Sequence, residues 1–234
     1  MALGRMLGML GIVVAMLGVA RGAWAAAEQQ QVVDQAVATI EALHQDKAVG
    51  PASLLLLKQA KAVMIVPHLV KGGFFAGGEG GDAVVLTRAR SSLWGAPAFY
   101  TLGSVSFGLK TDLAQAALVL FVLSDKALDA LLANELRVAA QSGLAIAMLG
   151  PAGEIAASSP DAASSPDIVV WASGHGADVG PTLEGSIIKP RDSYNLGYYE
   201  HPVSVADILR QHRVREHGAD GLRQALTLLA GLPG

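Results

Sequence analysis

The chain has 234 residues, 52% of them hydrophobic, 5% aromatic and 16% charged, with a formal net charge of −3. That length suits one domain with at most a small appendage, and the lack of a basic excess argues against nucleic acid as a partner. There is no cysteine, which excludes disulfides, thiolate metal sites, cysteine nucleophiles and lipobox acylation.

The N-terminus has the three parts of a signal peptide. Arg5 supplies a positive start, Met6–Ala20 an apolar stretch, and Ala23-Trp24-Ala25 an A-x-A cleavage pattern. About fifteen apolar residues fall short of the roughly 20 that a membrane span needs. The reading is therefore a signal peptide over residues 1–25 and a single mature domain over 26–234, exported and periplasmic or envelope-associated. Cleavage after Ala25 leaves 15 basic against 20 acidic residues, a net charge of −5.

Glu28–His44 carries Val33, Ala36, Val37, Ile40 and Leu43 at three- and four-residue spacing, the stripe of a core-packing helix. Its polar face lacks the Lys/Arg expected of a helix lying on a membrane. Gly50-Pro51 breaks it, and Pro51 can open a short second helix through Gln59. Lys61–Pro67 reads as a buried strand stopped by Pro67. Lys71–Ala76 and Ala83–Arg88 read as two more, joined by a turn with paired glycines at Gly72–Gly73, Gly77–Gly78 and Gly80–Gly81. After a loop at Ser91–Pro97, Phe99–Leu109 and Leu113–Leu123 read as strands, a helix being the competing reading of the second.

Ser124–Leu136 is predicted as an inserted helix, with Ser124 as N-cap and Asp125 in the first turn. Arg137–Leu149 reads as a strand with Gly143 in its middle, ended by Gly150-Pro151. Residues 151–167 hold a tandem A-A-S-S-P-D repeat, whose small polar residues and prolines predict a flexible loop. Ile168–Ala172, Ala177–Gly180 and Leu183–Lys189 read as short strands, and Arg191–Glu200 as a polar, tyrosine-bearing connection. Ser204 begins a helix with a capping box to Asp207 and a staple of Val203 with Ile208. A last helix covers Asp220 to Ala230. The sum is an α+β fold: a mainly antiparallel, glycine-rich sheet, sandwich- or barrel-like, with flanking N- and C-terminal helices and one inserted helix.

Catalytic motifs fail on inspection. Gly78-Glu79-Gly80-Gly81-Asp82-Ala83 fits the G-x-G-x-x-A spacing of a dinucleotide loop. A β-branched run follows it, however, instead of a helix start, and Glu79 and Asp82 would face a phosphate. No P-loop and no G-x-S-x-G elbow is present. His212 and Glu216 could share a helix face, one ligand pair where a metal site needs at least three. No cofactor or metal is expected. Glu79, Asp82, Asp112 and Glu184 default to solvated or turn-capping carboxylates. The basic residues Lys58, Lys61, Lys71, Arg88, Arg90 and Lys110 all fall at or beside predicted strand ends, where a cluster on one sheet edge would hold anionic lipid headgroups. Solvated strand-end charge is the plainer reading of the same residues.

The order of segments resembles the lipid-binding SYLF domain family. The resemblance rests on Ala60-Lys61-Ala62 through Pro67, Lys71-Gly72-Gly73-Phe74 with Gly77-Gly78, and Trp94-Gly95-Ala96-Pro97. It continues through Ser124–Leu128, Gly150–Gly153, Leu183–Ser186, Asn195 with Tyr198-Tyr199, and Ile208-Leu209. The resemblance implies a non-catalytic domain whose partner is an anionic phospholipid or membrane surface. Eukaryotic relatives bind phosphoinositide membranes and take part in actin organisation, whereas actin is not an expected partner of an exported bacterial chain. Two departures weaken the electrostatic part of headgroup binding: acids stand in the glycine turn, and Ser173-Gly174-His175-Gly176 has no permanent charge. The alternatives are a hydrolase or other enzyme using carboxylates at the glycine-rich sheet edge, and a structural or protein-interaction module of the envelope.

Overall fold

The computed structural model describes residues 27–71, 79–89, 93–104, 115–133, 135–138, 142–157, 162, 164–173 and 185–230. The signal peptide expected over residues 1–25, the glycine pairs at Gly72–Gly73 and Gly77–Gly78, and the strand expected at Ala177–Gly180 lie outside them. The fold is α+β, as its pattern of elements predicts. Among the described residues, one curled, half-barrel sheet of nine strands is flanked by six helices.

Helix α1 covers residues 27–45, and its stripe of Val33, Ala36, Ile40 and Leu43 is buried in the core. That apolar face is thus occupied by the domain itself. Helix α2 (Gly50–Gln59) starts with Pro51 near its N-terminus, where a missing N–H does no harm. It leads through Ala60 directly into β1 (Ala62–Lys71).

The sheet is built outward from β1. Its antiparallel neighbours are β2 (Glu79–Thr87) and β4 (Gln115–Val122), and β2 in turn pairs with β3 (Ala98–Ser104). Ala62–Val66 are fully buried, as expected of a central strand covered on both faces. The strand does not stop at Pro67, contrary to expectation. Its register with both neighbours shifts around that residue, so the proline sits in a bulge where the ladder is already interrupted. Across from the bulge, a Cβ on Gly81 would lie 2.2 Å from the carbonyl oxygen of His68. Gly80 and Gly81 are therefore strand residues, and close backbone packing is the reason for glycine at 81. Lys71 ends β1 and does not begin a separate strand.

Beyond β3 the sheet continues to β9 (Ile187–Pro190) and β5 (Leu136–Arg137). Beyond β4 it continues to β8 (Ile168–Ala172), β6 (Ile146–Leu149) and β7 (Ile155–Ala157). Among the described residues the β6–β8 pair is parallel and every other pair is antiparallel.

Four expectations change. The inserted helix α3 (Asp125–Leu132) is capped by Ser124, whose Oγ accepts from Ala127 N, but it ends before Leu136, which belongs to β5. The strand expected over Arg137–Leu149 is two strands, parted by a segment in which Gly143 has φ +66°. Part of the repeat-bearing loop pairs with β6 as β7. Arg191–Glu200 is largely a helix, α4 (Asp192–Tyr199), whose Asn195, Tyr198 and Tyr199 share one buried face at i, i+3, i+4 spacing. Helix α5 (Val205–Leu209) has the predicted cap, with Ser204 Oγ accepting from Asp207 N, and buried Ile208 beside half-buried Val203. Helix α6 (Asp220–Leu229) closes the fold on Leu222, Leu226 and Leu229.

Candidate functional site

Antiparallel pairing brings the start of β1, the end of β2 and the end of β4 to the same end of the sheet. Ala62 faces Thr87 on one side and Val122 on the other. Backbone bonds extend the register by a residue: Arg88 N donates to Lys61 O at 2.9 Å, and Lys61 N to Val122 O at 2.8 Å. Because α2 runs straight into β1, Lys58 arrives at the same place. Because α3 follows β4, Asp125 does too.

An open recess of about 350 Å³ lies there. Lys58, Lys61 and Arg88 line it from α2, β1 and the end of β2, and Asp125, Leu128 and Leu132 from α3. Leu209, Arg210 and His212 complete it from the end of α5. Thr87 Oγ1 donates to Leu209 O at 2.5 Å, which ties α5 to the sheet at this point.

The cations of the recess are not equivalent. Arg88 Nε donates to Ala60 O at 2.9 Å and its Nη2 to Leu57 O, so the guanidinium satisfies carbonyls left open at the C-terminus of α2. Its other face lies 4.7 Å from the centre of the Trp94 ring, a cation–π contact. Burial lowers its pKa from the ordinary value. Lys61 Nζ pairs with Asp125 at 2.5 Å, and Arg210 pairs with Asp129. Lys58 is exposed and makes no ion pair among the described residues.

His212 is a wall rather than a ligand. It has φ +50°, and its Nδ1 is buried without a partner. A Cβ on Gly95 would lie 2.6 Å from that nitrogen, so the ring packs flush on the Trp94-Gly95 backbone. Burial lowers the pKa of the ring, and its hydrogen bond to the Arg88 backbone only partly opposes this. Residues 211–216 are not helical, so His212 and Glu216 share no helix face, contrary to the sequence reading.

Three of the six basic residues singled out in the sequence thus converge. Lys71 does not: its backbone stands at the opposite end of β1, roughly 30 Å away by strand rise. Arg90 and Lys110 lie outside the described residues, as do Asp112 and Glu184. Arg210 and His212 were not singled out as part of a basic site. Only the contact of α5 with β2 brings them in, and nothing local announces it.

The carboxylates of the glycine-rich segment do not assemble among the described residues. Asp82 forms an ion pair with Arg191, which in turn stacks on Tyr194. Residues 79–83 are strand, so no helix opens after the glycines to hold a dinucleotide. Among the described residues no group of three His, Cys, Asp or Glu could hold a metal ion, and no helix is long and apolar enough to cross a membrane.

Compared with known protein families, the chain matches the model described as Las17-binding protein actin regulator (Ysc84) over residues 103–229. No curated protein and no solved structure matches it. The match begins inside β3 and takes in α3 to α6, including α3 with Asp125, α5 with Leu209 and the segment after it that carries His212.

Proposed function

Since the chain belongs to the Ysc84, or SYLF, domain family, we propose that it is an exported, non-catalytic domain that binds anionic phospholipid at a membrane or envelope surface. The observation that carries this reading is the convergence of Lys58, Lys61 and Arg88, with Arg210, on one recess at the end of the sheet. Each basic side chain near an anionic surface contributes about 1 kcal/mol, so a cluster of this kind supports reversible association. The family description names a Las17-binding actin regulator; the signal peptide expected at residues 1–25 favours a lipid over actin as the partner of this chain. Catalysis has little to draw on, because Asp82 is already engaged by Arg191 and the recess offers one carboxylate, Asp125, itself paired with Lys61.

The test is co-sedimentation of the mature protein, with Ala26 as its expected N-terminus, with vesicles of phosphatidylglycerol in phosphatidylcholine. Binding is expected at low salt, with loss near 1 M salt, where the screening length falls to about 3 Å. Failure to sediment with any anionic vesicle at low salt removes the proposal. Helix α1 should be left intact in such work, since its stripe is part of the core.

A further inference from the structure

The recess has walls of two kinds, and their arrangement is more informative than its charge. Leu128 and Leu132 of α3 and Leu209 of α5 give it apolar lining, while Lys58, Lys61 and Arg88 line it from α2, β1 and the end of β2. An anion with an adjoining apolar portion would satisfy both. We propose that the recess takes the phosphodiester headgroup of a single anionic phospholipid, held by Lys58 and Lys61 once Asp125 releases Lys61, with the glycerol end against the three leucines. This rests on the lipid reading above and places the ligand within the fold.

Size and charge both bear on the choice. About 350 Å³ lies at the small end of ligand sites, which run from roughly 300 to 1,000 Å³. It accommodates a headgroup and leaves the acyl chains outside, in the bilayer. Arg88 offsets the partial negative charge at the end of α2, which would otherwise repel an anion there. Lys58 is unpaired. The Lys61–Asp125 pair is displaceable because Asp125 is 78% exposed, and exposed pairs are worth little. A peptide has no comparable hold, since β1, β2 and β4 at this end each have partners on both sides.

The experiment uses the mature protein and two probes, monomeric dihexanoyl phosphatidylglycerol and inorganic phosphate, alongside phosphatidylglycerol vesicles. Binding is read from the methyl NMR signals of Leu128, Leu132 and Leu209 and from sedimentation. Dihexanoyl phosphatidylglycerol should shift these methyl signals. The Lys58→Ala/Lys61→Ala double variant should weaken binding of both lipid forms by about tenfold or more. Asp125→Asn should tighten it severalfold. A control that removes two exposed charges elsewhere, Lys47→Ala/Arg215→Ala, should change monomer binding by less than twofold. Thermal melting confirms that the variants fold.

Three results overturn the proposal. If vesicle binding persists in the double variant and the leucine methyls do not move, the recess is not the site and the lipid reading stands. Should inorganic phosphate bind as tightly as the short-chain lipid, the site is one for free phosphate. If the unaltered protein binds neither lipid form, both this inference and the lipid reading fall.

Discussion

Asp167 holds three segments together, and it does so with a carboxylate. It accepts from Ser124 Oγ, the cap of α3, and from Ala145 N at 2.9 Å, with Lys126 Nζ at 3.7 Å. Its backbone joins the same junction, since Leu123 N donates to Asp167 O at 2.8 Å and Asp167 N to Ala145 O at 2.7 Å. Burial by itself would raise the pKa of this carboxyl, but the Ser124 and Ala145 hydrogen bonds and the Lys126 ammonium outweigh it and hold it below the usual value. A lowered folded pKa means that the stabilisation is complete above the unfolded value and disappears as pH falls through the folded one. Asp167→Asn should therefore cost about 2 kcal/mol at pH 7 and progressively less below about pH 4. Urea denaturation of both proteins across that range checks it, and a gap that stays constant down to pH 2 would falsify the assignment. At this scale the sequence is only half legible. Strand-end lysines and the two serine caps can be read from it, whereas the carbonyls that Arg88 binds and the partners of Asp167 come from segments 28 or more and 22 or more residues away.

At the scale of elements, β1 carries the clearest lesson. Pro67 reads as a strand terminator because proline lacks a ladder donor, yet the strand continues because a bulge removes the need for that donor. The bulge pushes His68 O toward β2, and glycine at 81 accommodates it. Gly81→Ala should destabilise the domain by about 2 kcal/mol or more, since a backbone oxygen cannot swing aside as a side chain can. Thermal or urea unfolding measures this, and a variant as stable as the unaltered protein would show that the two strands can simply part. Helix α4 was missed for a related reason. Arg191, Asp192, Ser193 and Asn195 look like a polar connection, but Asn195 is fully buried, accepting from Phe99 N at 2.8 Å. Tyr199 donates to Pro97 O at 2.6 Å. The polar groups of Asn195 and Tyr199 bond to β3 and its approach, which is invisible until β3 is in place.

For the whole molecule, the family match and the sheet do not share boundaries. The matched stretch, 103–229, contains β4 to β9 and the tail of β3 but neither β1 nor β2. In the sheet those two strands are the bridge between the β5-β9-β3 side and the β4-β8-β6-β7 side. Residues 103–229 expressed alone should thus fail to fold cooperatively, whereas 26–234 should show a single sharp transition. Calorimetry on both distinguishes the cases, and a cooperative transition in the shorter chain would overturn this view of the sheet. The overall class was legible early, because alternation, glycine content and helix caps are local signals. Strand order was not, because pairing between β1 and β4 or β3 and β9 depends on contacts across 45 or more residues.

The two outermost strands have a consequence for how copies of this protein meet one another. Among the described residues β5 is two residues long and β7 three, while the long apolar strands have a neighbour on each side. Among the described residues, the outer edges open to a further strand are therefore these two short stubs. In a chain with 52% hydrophobic residues, that arrangement leaves little template for edge-to-edge growth. Copies of the domain brought to high concentration thus meet little sheet edge among the described residues through which to polymerise.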